Sequence, residues 1–122
     1  MVKEALPIIS WFIHTQEDPE ILTDCCWALS HLSDGKVEKV DAVLESGVAK
    51  RVIDLLSHHL PNVQIPALRV VGNIVTGNES QTQAMVNLNV LPALLPLLSH
   101  EKKAIRKEAV WTYSNISAGT PM

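Results

Sequence analysis

Aromatic side chains are scarce in this 122-residue chain, where three tryptophans, one tyrosine and one phenylalanine make up 4% of the sequence. A core cannot be built around so few rings. With 47% of the residues apolar, it must be packed from Leu, Ile, Val and Ala, which favours helix against helix. Cysteine is nearly absent, and the two present, Cys25 and Cys26, are adjacent. They are too cramped to staple distant segments and lack the spacing of a zinc site. They read as buried, reduced thiols of a cytosolic or nuclear protein. No basic excess exists either: 10 Lys and Arg stand against 13 Asp and Glu, a net charge of −3. That argues against a general nucleic-acid binder and is compatible with basic partners. Apolar runs are only a few residues long, and no charged-then-apolar leader opens the chain. The expectation is a soluble protein with no membrane partner and no export signal. Also missing are a phosphate-cradling glycine loop, a metalloprotease helix and a nucleophile elbow. No cofactor, metal site or catalysis is therefore expected.

What the chain does have is an internal repeat. Trp27, Arg69 and Trp111 fall 42 residues apart, as do His31, Asn73 and Asn115, and as do Gly35, Gly77 and Gly119. Gly47 pairs with Asn89, Leu55 with Leu97, Leu56 with Leu98, Ser57 with Ser99 and His58 with His100 at the same step. A period in the low forties belongs to helical solenoids or to propeller blades.

The pattern inside each unit decides for helices. Leu6 to Ile13, Val48 to Leu56 and Val90 to Leu98 are apolar stretches of helical length, with Pro7 and Pro92 reading as helix starts, where proline loses no hydrogen bond. A longer helix follows over about Ile21 to Ser33, Val63 to Val75 and Ala104 to Ser117. Offsets of three and four put Cys25, Leu29 and Leu32 on one face, then Ala67, Val71 and Ile74, then Ala109, Tyr113 and Ile116. Glycines 35, 77 and 119 read as left-handed stops. Short helices over Val37 to Glu45 and Ser80 to Leu88 end at Gly47 and Asn89. The first unit carries one extra residue, placed in the loop from Gln16 to Pro19. No strand-like alternation occurs. The reading is an all-α, right-handed α-solenoid of about three 42-residue repeats, three helices each, in units 1–47, 48–89 and 90–122, the last incomplete. Pro66 is expected in the first turns of its helix.

The opposite face of the long helices carries the specific pattern. Asp24, Trp27 and His31 share one stripe, as do Pro66, Arg69 and Asn73, and Glu108, Trp111 and Asn115. In a solenoid such stripes line a concave groove. Asparagine amides donate and accept, so they can grip the backbone of an extended peptide. Indole walls leave slots for the stems of Lys or Arg, and carboxylates meet the charged tips. The competing reading is that the tryptophans belong to the core and that Asn73 and Asn115 brace neighbouring turns.

The segments DCCWALSHLSDG, PALRVVGNIVTGNESQTQ, VLPALLPLLS and KKAIRKEAVWTYSNISAG closely resemble the armadillo repeats of the importin α family of nuclear import adaptors. The resemblance covers essentially the whole chain and is similar to repeats five, six and most of seven of ten. It implies an adaptor shuttling between cytoplasm and nucleus, whose groove binds basic nuclear localisation signals in a larger and a smaller pocket. By the same resemblance Trp111, Asn115 and Glu108 form half of the smaller pocket, with Val75, Thr82 and Asn73 beside them. Asp24 and Trp27 lie at the trailing edge of the larger one. Arg69 and His31 depart from the Trp and Asn pattern, and Arg69 would repel a lysine. The centre of the chain then faces the linker of a two-part signal. Importin β and the export receptor are expected to bind regions absent from these residues, and exposed solenoid ends could self-associate. The alternatives are a generic armadillo scaffold of the β-catenin type and an enzyme or metal protein with an embedded helical array. Adjacent His58 and His59 are expected to diverge rather than chelate. The charged run Glu101 to Lys107 reads as a solvated loop and helix start.

Overall fold

The computed structural model describes residues 2–119, with side chains from 5 to 118. The described chain runs α1 (Val2–Thr15), α2 (Pro19–Leu32), α3 (Val37–Glu45), α4 (Ala49–Leu55), α5 (Pro61–Val75), α6 (Glu79–Asn87), α7 (Val90–Leu94), a 3-10 segment (Leu95–Ser99) and α8 (Lys103–Gly119). No strand occurs among the described residues. The helices arise where the periodicity places them, and the caps explain their limits. The Asp18 carboxylate accepts the Glu20 N–H at 2.9 Å ahead of Pro19, so α2 starts after the extra-residue loop. Asn78 and Gln81 form a reciprocal capping box at the start of α6. Gly47 (φ +83°) and Asn89 (φ +68°) both turn left-handed one repeat apart, ending α3 and α6.

Four expectations need correcting. Pro7 lies inside α1 rather than at its start, whereas Pro66 falls in the second turn of α5, which begins at Pro61, as expected. The stretch from Val90 does not stay α-helical: Pro96 has no N–H to continue the ladder, and the chain tightens into the 3-10 turn. Gly35 is left-handed (φ +91°), but Gly77 is not. A Cβ at Gly77 would collide with Gln81 Oε1, so this glycine makes room for the capping box. Gly119 is the last described residue of α8, so the stop expected there lies at the edge of the described residues. Finally, the His58 and His59 rings stack at 4.5 Å instead of diverging.

One continuous apolar core runs the length of the stack. α2 packs on α5 and α5 on α8, with α1, α4 and the α7/3-10 segment backing them in turn. Cys25, Leu29, Ala67, Val71, Ile74, Ala109 and Ile116 are buried as the periodicity predicts, while Leu32 and Tyr113 are partly buried. The small residues at 25, 67 and 109 let the three long helices approach closely. Burial pushes the Cys26 thiol up to about 12, and burial followed by the Asp24 charge raises Cys25. Both thiols are therefore unreactive.

Candidate peptide-binding face

The stripe opposite the core emerges on α2, α5 and α8. Trp27 is 39% exposed and Trp111 49%, so neither is a core residue despite its size. Asp24 and His31 are exposed beside Trp27. On α2, Asp24 and Trp27 line a hollow with Glu20, Thr23, Leu60, Asn62 and Ile65, the last three contributed by α5 and the loop before it. Glu20 and Asp24 make its α2 wall acidic, and Leu60 and Ile65 with the Asn62 amide face them.

The central rung, on α5, is tied to the helices on both sides of it. Arg69 Nε lies 2.9 Å from Glu108 Oε1, an ion pair that crosses from α5 to α8. Glu108, expected as a carboxylate waiting for a cation, already holds one, and Arg69 is partly neutralised by it. Asn73 turns back towards α2, donating its Nδ2 to the Ser30 carbonyl at 2.9 Å and lying 3.4 Å from Ser33 Oγ. For Asn73 the bracing reading holds. Pro66, expected on the exposed stripe, is buried.

The third rung differs. Val75, Thr82 and Asn115 come together around one depression with Thr76, Gly77, Glu79 and Ala118. Val75 and Thr82 are nearly covered, and the Thr82 hydroxyl is spent on the Val75 and Asn78 carbonyls. The Asn115 Nδ2 is buried with no hydrogen-bond partner among the described residues, and so is Thr112 Oγ1. Buried donors are rarely left unpaired. Trp111 leans over Gly72, where a Cβ would stand 3.3 Å from the indole and 3.4 Å from Thr112 Oγ1. Gly72, Ser30 and Ser33 were not identified from sequence. The repeat offset was the available signal, since it places Gly72 opposite Ser30 and Val75 opposite Ser33.

The Armadillo/beta-catenin-like repeat pattern matches residues 1–34, 36–76 and 78–118. The chain belongs to the armadillo-repeat family. It is 55% identical over 118 residues to importin subunit alpha-1a of Oryza sativa subsp. japonica, covering 96% of this chain and 22% of that protein. It is 56% identical over 122 residues to importin subunit alpha-4 of Arabidopsis thaliana, covering 99% of this chain and 22% of that protein. The armadillo chain thus spans about a fifth of the length of these relatives. Among solved structures it resembles a designed armadillo repeat protein in complex with the peptide (KR)4, with a TM-score of 0.88 and 26% identity over 94% of this chain and 48% of that one. The all-α solenoid is therefore an armadillo array, and its exposed tryptophans, Trp27 and Trp111, lie on the long helices α2 and α8.

Proposed function

We propose that this chain is an armadillo segment of a nuclear import adaptor, and that its Trp and Asn face binds Lys- and Arg-rich nuclear localisation signals. The observation that carries the reading is the unpaired Asn115 amide beside Val75 and Thr82, next to the exposed Trp111. With the Asn115 side chain turned outward, an extended peptide backbone would supply the missing acceptor, and the indole would flank an aliphatic stem. Asp24 and Glu20 beside Trp27 would hold a second basic cluster, while Arg69, His31 and the inward-turned Asn73 face the linker between them. The importin subunit alpha relatives and the basic peptide held by the designed armadillo protein support the choice of ligand. On this reading the chain shuttles between cytoplasm and nucleus and serves as a binding module rather than an enzyme. Importin β and the export receptor engage other parts of the adaptor.

The test is fluorescence anisotropy of a labelled peptide with two lysine clusters, titrated with the chain at rising salt, with alanine-substituted and glutamate-substituted peptides as controls. Lysine-dependent binding that weakens with salt is expected. Preference for the glutamate peptide would replace this reading with a β-catenin-type scaffold.

A further inference from the structure

The loops that lead into α5 and α8 share a histidine device at one-repeat spacing. In both, the imidazole Nδ1 accepts the backbone N–H two residues on: His58 from Leu60 at 3.0 Å and His100 from Lys102 at 2.9 Å. The carbonyls of Leu60 and Lys102 then receive the first helical N–H groups, from Val63 and Gln64 in one case and from Ile105 and Arg106 in the other. Each histidine therefore anchors the residue from which a groove-lining helix departs. The first repeat does this differently, because Asp18, one repeat before Leu60, caps α2 with its own carboxylate. Leucine and lysine have no side-chain acceptor to offer, and here the imidazole instead fixes the N–H of Leu60 or Lys102 itself.

An imidazole nitrogen accepts a hydrogen bond only while it carries no proton. At His100 the second nitrogen fixes the tautomer. Its Nε2 lies 3.0 Å from Gln64 Oε1, and Gln64 uses its own Nε2 to donate to the Leu56 carbonyl at 2.9 Å. Nε2–H is the donor and Nδ1 is bare. His100 thus ties the entry of α8 to the first turn of α5 through Gln64, which is itself buried.

We propose that His58 and His100 are an acid-released latch on the groove helices: neutral, they hold the entries of α5 and α8, and protonation turns each Nδ1 into a donor facing another donor and frees both. The charges around them are Arg51 of α4, Glu17 of the α1–α2 loop and the stacked His59 at the first site. At the second, Arg106 donates to the His100 and Glu101 carbonyls, with Glu101 and Lys102 adjacent in the chain. Burial first, then His59 and Arg51, hold His58 below the ordinary histidine range, against the opposing pull of Glu17. A depressed pKa means that the His58 contribution is complete above the unfolded value of about 6.5 and is lost as pH falls from there through the folded value. The latch does not depend on what occupies the groove.

Side-chain ¹⁵N NMR at neutral pH tests the geometry directly, with the Nε2–H tautomer expected at both residues. An Nδ1–H tautomer at either overturns the latch. The second arm follows the urea midpoint from about pH 7.5 to about pH 5.5, across the histidine range. The H58N/H100N double variant keeps an oxygen acceptor for the N–H two residues on but does not titrate. Its midpoint should fall by less than half as much as that of the parent, while H14N, at an exposed histidine, should fall as far as the parent. An equal fall in parent and double variant overturns the proposal. Should the double variant not fold at neutral pH, the tautomers still decide.

Discussion

Asn73 and Asn115 stand at the same place in successive repeats, one bonded to its neighbours and the other with a buried donor left over. Their own helices do not explain the contrast. Asn73 reaches back to a repeat that offers Ser30 and Ser33, whereas the same reach from Asn115 meets Gly72 and Val75. Val75 lacks the hydroxyl that Ser33 offers, Gly72 keeps a carbonyl that Asn115 does not reach, and the missing Cβ at Gly72 lets Trp111 settle against α5. Equal residues in a solenoid therefore have unequal roles, set by the preceding unit. The carboxylates repeat the lesson: Asp24 makes no ion pair among the described residues, while Glu108 is engaged by Arg69. The central rung spends its polar groups on its neighbours, Asn73 on the first repeat and Arg69 on Glu108 of the third, while Asp24 and the Asn115 donor stay unpaired among the described residues.

The largest effect that sharpens this contrast lies on the face below both asparagines. Ile74 is fully buried one residue from Asn73, and Ile74→Ala should cost about 2 to 5 kcal/mol of unfolding free energy in urea titrations. Trp111→Ala should instead leave the urea midpoint nearly unchanged and weaken a lysine-rich peptide by about 2 kcal/mol or more in anisotropy titrations. Marked unfolding of that variant would return Trp111 to the core. Asn73→Ala should lose about 1 kcal/mol of stability, the worth of a typical hydrogen bond, and Asn115→Ala should lose none while weakening the peptide. Interchanged results would break the comparison. The smallest effect belongs to Arg69→Ala. A partly exposed ion pair contributes about 0 to 1 kcal/mol, so stability should barely move, while the released Glu108 tightens a lysine peptide slightly at low salt.

Most of the fold was legible because the 42-residue step samples each structural position two or three times. Gly47 and Asn89 show this well: either alone suggests a turn, and together they mark the same left-handed helix end. The exposed tryptophans were legible from their spacing against the buried stripe. The partner of each polar rung residue was not. Asn73 meets Ser30 and Ser33 across 43 and 40 positions, and Arg69 meets Glu108 across 39. Such pairings depend on how one helix lies on the next, and helical periodicity within a segment does not contain that. The Val90 to Leu98 stretch and Gly77 were misread for a related reason. The residues promise a continuing helix and a left-handed stop, but a missing N–H and the room needed by Gln81 decide otherwise.

Side-chain amide NMR of Asn73 and Asn115 during titration with the lysine-rich peptide addresses the central claim directly. The Asn115 NH₂ signals should shift and gain protection from exchange as the peptide supplies an acceptor, while those of Asn73, already bonded to Ser30, stay in place. Equal shifts at both residues, or a shift at Asn73 alone, would contradict the division between a bonded Asn73 and an unpaired Asn115.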